Sequence, residues 1–198
     1  METQSSFSVS KWTIFTTIGV IAGVILVLIL AALLESLKLE DNSIIGIAMG
    51  LCIGLMQWLL IRKQIKQSFK WVWLLVVGMT VPIILLEIVT LIFKIKSEYY
   101  MLAIILAGGL LSGYLQYQFC LKNTYINAKQ WIRFSFLGWL AAVLITSVSF
   151  LPIILHMELT AFFKLLNTFA IILCGPVLGF ITGKGIVSIL KNENKLQP

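Results

Sequence analysis

The sequence predicts an all-α, polytopic membrane protein: six transmembrane helices forming three parallel helical-hairpin repeats around a pseudo-threefold axis. Three observations carry this expectation. Of 198 residues, 60% are hydrophobic and 12% charged, with a mean hydropathy of +1.01, against about 25% charged in ordinary soluble domains. Six apolar stretches match the roughly 20 helical residues needed to cross about 30 Å of hydrocarbon. A tryptophan followed seven residues later by glycine, then a paired-glycine helix with a polar residue on its next turn, recurs three times at a period of about sixty residues. Such a period marks a supersecondary unit stacked on copies of itself.

The stretch 12–34 opens with Trp12 and carries Gly19. Its flank holds Glu2 and no base within the first ten residues, and no A-x-A-like cleavage site follows, so it reads as a retained span. The stretch 43–61 carries Gly50, Gly54 and Gln57. In the second copy, 71–93 holds Trp71 and Gly78, and 100–121 holds Gly109, Gly113 and Gln116. In the third, 131–155 holds Trp131 and Gly138, and 161–190, longer than one crossing needs, holds Gly175, Gly179 and Thr182. From the first glycine to the paired glycines is 31 residues in copies one and two and 37 in copy three, which assigns the extra six to one loop. The chain therefore reads as a single transmembrane domain, 1–198, with repeats at about 11–66, 70–126 and 130–191. Transmembrane β-strands would alternate over runs of about ten residues, and nothing here alternates in that way.

Charge predicts orientation. One side of the spans collects Lys11, Arg62, Lys63, Lys66, Lys70, Lys122, Lys129, Arg133, Lys184, Lys191 and Lys195. The other has Lys38, Lys94, Lys96 and Lys164, offset by Glu35, Glu40, Asp41, Glu98 and Glu158. Eleven against four is a positive-inside bias that puts both termini in the cytoplasm. The net charge of +7 is thus a topology signal and not a nucleic-acid footprint. Arg62, Lys63, Lys66 and Lys70 form a compact basic loop where anionic lipid contributes about 1 kcal/mol per side chain.

Each recurring residue type has an expected role. Trp12, Trp71 and Trp131 begin spans, where an amphipathic ring anchors at the headgroup level; Trp58, Trp73 and Trp139 extend that inner belt, and Tyr99 and Tyr100 form the outer one. Gly19, Gly50, Gly54, Gly78, Gly109, Gly113, Gly138, Gly175 and Gly179 mark helix-packing faces, because small residues let backbones approach in lipid. Gln57, Gln116 and Thr182, each three residues past the second glycine, fall on one helical face at similar depth and predict a polar ring, read either as a small polar site or gate on the axis or as hydrogen-bond glue between helices. Glu87 is added to the candidate polar site as the one acidic residue well inside a span, where an ionisable group is costly; sixteen residues beyond Trp71 it falls nearer the outer leaflet, and it reads either as a proton or cation relay or as a local structural pairing.

Weaker features get plainer readings. Asn42 and Asn167 read as helix caps, Pro82, Pro152 and Pro176 as kinks, and His156 beside Glu158 as a solvated loop pair. Cys52, Cys120 and Cys174 lack ligand spacing and read as apolar fillers.

Six spans with a serine in the fourth resemble rhomboid intramembrane proteases, which pair a G-x-S-G serine with a histidine in the sixth span. Here Gly109-Leu-Leu-Ser112-Gly113 is one residue out of register and the sixth span has no histidine, so Ser112 lacks a base. The run Gly179-Phe-Ile-Thr-Gly183-Lys184 is one residue short of a phosphate loop and has Gly185 where Ser or Thr belongs. No cofactor motif or metal cluster is present, and the expectation is a protein that is not an enzyme.

The segments Gly50-Leu-Cys-Ile-Gly54-Leu-Met-Gln57-Trp58 and Gly109-Leu-Leu-Ser-Gly113-Tyr-Leu-Gln116-Tyr117 resemble the repeated G-x3-G-x2-Q-W signature of uncharacterised bacterial multispanning membrane proteins. That resemblance implies a bacterial cytoplasmic membrane. Size and span number are also similar in architecture to substrate-binding subunits of energy-coupling-factor transporters. Two functions follow as expectations. One is a noncatalytic interaction or accessory subunit contacting the lipid bilayer and a membrane protein partner; the other is a small permease or substrate-binding subunit with a site on the repeat axis.

Overall fold

The computed structural model describes residues 7–37, 43–65, 68–94, 100–148 and 161–193. Their regular structure is helical, with no strand among the described residues: α1 (Val9–Ser36), α2 (Ser43–Ile61), α3 (Lys70–Phe93), α4 (Met101–Gln116), α5 (Gln130–Ser147) and α6 (Ala161–Glu193). α4 runs on into a π-helical turn, Tyr117–Leu121. Val9–Ser36, Ser43–Ile61, Lys70–Phe93, Met101–Leu121 and Phe169–Lys191 are long and apolar enough to cross a membrane. These five helices point to an integral membrane protein. The sixth expected span is α5, whose described part has 18 residues with Gln130 and Arg133 in its first turn; 149–155 lies outside the described residues. So do Lys66, Asn42, Pro152, His156 and Glu158. Asn167, expected as a cap, instead falls inside α6, which starts at Ala161, because the apolar run ahead of it extends the helix.

Local chemistry sets several ends. Ser8 caps α1, its hydroxyl accepting from the Lys11 backbone N–H at 3.3 Å. The hydroxyls of Thr13 and Thr17 donate one turn back to the Val9 and Thr13 carbonyls at 2.9 and 2.8 Å, so neither needs water. Lys94 ends α3 in the left-handed region at φ 54°. α3 and α6 run through Pro82 and Pro176. Pro82 has no N–H for the Gly78 carbonyl, whose oxygen faces Gly108 of α4.

Each helix packs on its successor and α6 packs back on α1, closing one bundle. Lipid supplies no hydrophobic force between helices, so close backbone contact favours these seams. A Cβ on Gly19 would lie 2.8 Å from the Ile53 Cα of α2, and one on Gly50 would lie 2.7 Å from the Val76 Cα of α3. Gly54 faces Val72, Gly78 faces Ser112, Gly109 faces Trp139 and Gly113 faces Ser135. Gly138 meets Thr182 and Leu178, while Gly175 and Gly179 meet Thr17 and Thr13 of α1.

The core is uneven. At the tryptophan end one cluster gathers Trp12, Trp71 and Trp131 with Ile61, Leu121, Tyr125 and Ile186; further along, Val20, Ile53, Leu75, Met79, Trp139 and Leu178 form a second. Beyond Gly23 in α1, Leu86 in α3 and Val143 in α5, and ahead of Gly108 in α4, no described residue of those helices is buried. The π-helical turn belongs to the first cluster. Four residues separate Gln57 from Ile61 and five separate Gln116 from Leu121, yet Ile61 and Leu121 are both fully buried there. The Lys122 N–H reaches the Tyr117 carbonyl at 2.9 Å, an i to i+5 closure that takes up the additional residue.

Gly50→Leu is expected to destabilise the protein by roughly 1–3 kcal/mol, because the side chain must displace the α3 backbone. Leu28→Ala, on an exposed face, is expected to shift stability by less than about 0.5 kcal/mol. Thermal unfolding in detergent measures both.

Candidate functional site

Trp12, Trp71 and Trp131 stand at the starts of α1, α3 and α5 and meet inside one end of the bundle. Trp12 lies 6.2 Å, centroid to centroid, from each of Trp71 and Trp131 in edge-to-face contact, and Trp71 lies 5.0 Å from Trp131. Headgroup anchoring is therefore the wrong role for them: they are 0%, 0% and 2% exposed. The physical reason lies in the indole N–H, which needs an acceptor when it is removed from water. Each finds one on a neighbouring helix. Trp71 Nε1–H donates to Gln57 Oε1 at 2.9 Å, Trp131 Nε1–H to Gln116 Oε1 at 3.2 Å, and Trp12 Nε1–H to Thr182 Oγ1 at 3.0 Å.

The glutamines extend these links. Gln57 Nε2–H donates to Thr16 Oγ1 at 3.3 Å, so one side chain of α2 joins α1 to α3. Gln116 Nε2–H reaches the Trp71 carbonyl at 3.5 Å, joining α4 to α3 as well as α5. Thr182 Oγ1–H donates to the Leu178 carbonyl at 2.7 Å while it accepts from Trp12. The three residues lie together around a cavity of about 10 Å³, also lined by Ser135, Trp131, Trp139, Ile53, Leu75 and Leu178. That is room for one water molecule.

The other expected belt tryptophans divide. Trp139 is buried against Gly109, whereas Trp73 is 56% exposed. Trp58 is half-buried, donates its N–H to Ser68 Oγ at 3.0 Å, and carries the Arg62 guanidinium 5.8 Å from its ring. Lys63 and Lys70 are exposed nearby in sequence.

Glu87 does not join the polar ring. It is half-buried, sixteen residues past Trp71 on the same helix, a rise of about 24 Å at 1.5 Å per residue, and does not line the cavity. Its backbone carbonyl accepts from Thr90 Oγ1 at 2.8 Å. Ser112 is fully buried with its hydroxyl donated to the Gly109 carbonyl at 3.0 Å. Among the described residues no group of three His, Cys, Asp or Glu side chains is placed to hold a metal ion.

The chain matches no protein-family model, no curated protein and no solved structure.

Two members of the polar interior had no sequence-level reading. Thr16 and Ser135 are buried and each stands four residues after a recurring tryptophan, Trp12 or Trp131; that shared offset was the available signal. Ser135 Oγ–H donates to the Gly109 carbonyl at 3.3 Å.

Trp71→Phe keeps an aromatic ring but leaves Gln57 Oε1 without its donor, and is expected to cost about 1–3 kcal/mol. Adding Gln57→Leu removes the orphaned acceptor and is expected to recover part of that loss. A double-mutant cycle by denaturant unfolding reads the coupling.

Proposed function

We propose that this chain is a noncatalytic integral membrane protein acting as a membrane-embedded interaction or accessory subunit, built from three parallel helical hairpins around a pseudo-threefold axis. The observation that carries this reading is the engagement of the interior polar groups. Gln57, Gln116 and Thr182 accept from Trp71, Trp131 and Trp12, and the cavity they line holds no more than one water. Side chains that would bind a solute on the axis are instead joining helices.

The threefold reading draws on the order of these links. Each runs from the first helix of one hairpin to the second helix of the hairpin before it, with Trp12 and Thr182 closing the cycle. The paired glycines follow the same order, Gly50 and Gly54 against α3, Gly109 and Gly113 against α5, and Gly175 and Gly179 against α1, whereas Gly19, Gly78 and Gly138 face the second helix of their own hairpin. Because the glycines face other helices of this chain, partner contact falls to exposed apolar faces such as Ile25, Leu28 and Ile29 of α1, or Leu85, Ile88 and Ile92 of α3. The Lys and Arg asymmetry supports cytoplasmic termini, with anionic lipid at Arg62, Lys63, Lys66 and Lys70; a bacterial membrane rests on the resemblance of the glycine–glutamine segments alone.

A small permease or substrate-binding subunit is the second reading. It draws on the uneven core, since α1, α3 and α5 lose all buried residues away from the tryptophan end, and Glu87 lies in that half.

Light scattering on gently solubilised protein is expected to show a second polypeptide at fixed ratio to the 22.2 kDa chain. A chain that elutes alone and drives solute uptake into proteoliposomes, lost in Glu87→Gln, moves the assignment to permease. For topology, a cysteine at Lys122 is expected to react with impermeant maleimide only from the cytoplasmic side and one at Leu37 only from outside.

A further inference from the structure

The cavity among Gln57, Gln116, Thr182 and Ser135 carries an inference about what fills it. All four residues are at least nine-tenths buried, and each comes from a different helix, α2, α4, α6 and α5. Their hydrogen-bonding capacity exceeds the bonds they make. A primary amide carries two N–H donors. Gln57 uses one, on Thr16 Oγ1, and Gln116 uses one, stretched to 3.5 Å, on the Trp71 carbonyl. A hydroxyl oxygen carries two lone pairs. Thr182 Oγ1 accepts only from Trp12, and Ser135 Oγ donates to the Gly109 carbonyl while accepting from no protein group. The residues lining that space thus retain two spare amide N–H donors and two oxygens with spare lone pairs.

We propose that this cavity is a binding site for a single ordered water molecule, which accepts from the two glutamine amides and donates to the Thr182 and Ser135 hydroxyls. The stoichiometry fits, because water offers two lone pairs and two O–H groups, and buried waters typically make about three such bonds. Size selects water over larger polar ligands: the cavity of about 10 Å³ matches the smallest space that holds one, roughly 10–15 Å³. Ile53, Leu75 and Leu178 form the apolar part of its wall. An empty cavity would leave the spare amide N–H groups unsatisfied inside a membrane protein, which is costly. The site is defined by the hydrogen-bond inventory and the cavity's size together, and it holds for either functional reading above.

Radiolytic hydroxyl labelling in water enriched in the heavy oxygen isotope provides the test, because radicals formed from a bound water oxidise side chains beside it. Trp131 and Trp139 line the cavity although both are buried, and exposed Trp73 serves as the internal reference. The expected result is rapid labelling of Trp131 and Trp139 in the wild type. In Ser135→Ala, which removes one acceptor, it falls severalfold while Trp73 is unchanged. Unlabelled Trp131 and Trp139 beside a labelled Trp73 in the wild type overturns the proposal. So does a density map that resolves other bound waters but has no peak within hydrogen-bond distance of Gln116 Nε2 and Ser135 Oγ. This map uses the wild-type protein and stands whether or not the variant folds.

Discussion

Hydrocarbon offers nothing to an indole N–H, and three of them are buried together at one end of this bundle. Each must find an acceptor inside the protein, and each acceptor belongs to a different helix from its donor. Satisfying the three donors therefore fixes α2 beside α3, α4 beside α5, and α6 beside α1. The net worth of one interhelical hydrogen bond in a membrane averages only about 0.6 kcal/mol, so these links are weak as glue. Their force lies in what they forbid: an arrangement that separates a tryptophan from its glutamine leaves both polar groups stranded, at about 1–3 kcal/mol for each such group.

The glycines make that geometry reachable. Gly54, Gly113 and Gly179 each precede the polar partner by three residues, so a close helix contact falls within one turn of each hydrogen bond. Gly54 lies against Val72, beside the donor Trp71, and Gly113 lies against Ser135, one turn from Trp131. A side chain at either glycine would push the helices apart and lengthen the bond next to it. Close packing and polar satisfaction are thus one constraint expressed in two residue types, and this explains why paired glycines and a polar residue occur together on α2, α4 and α6.

Most of the helical layout was legible because hydropathy runs are long and the Trp and Gly spacing is regular. The tryptophans were not legible. A Trp at the start of a span satisfies the rule for a headgroup anchor and equally that for a buried donor, and a linear chain does not show which helix supplies the acceptor. Gln57, Gln116 and Thr182 could be placed on one face and depth, but not opposite Trp71, Trp131 and Trp12. Glu87 lies far along α3, as its sixteen-residue offset from Trp71 on one helix already implied. The π-helical turn left a trace: Trp12 to Trp71 is 59 residues and Trp71 to Trp131 is 60, a difference that has meaning only once Ile61 and Leu121 are found in one cluster.

The seam between α1 and α6 has a consequence for biogenesis. Trp12 is the first of the three tryptophans to leave the ribosome, and its acceptor lies 170 residues later. The faces that receive Gly175 and Gly179, Thr17 and Thr13, wait just as long for their cover. Throughout synthesis α1 must therefore sit in the bilayer with one flank unfinished, shielded by lipid or by the insertion machinery. Only arrival of α6 completes it, so a chain truncated before α6 leaves α1, made long before, without the helix that also covers the newly made α5.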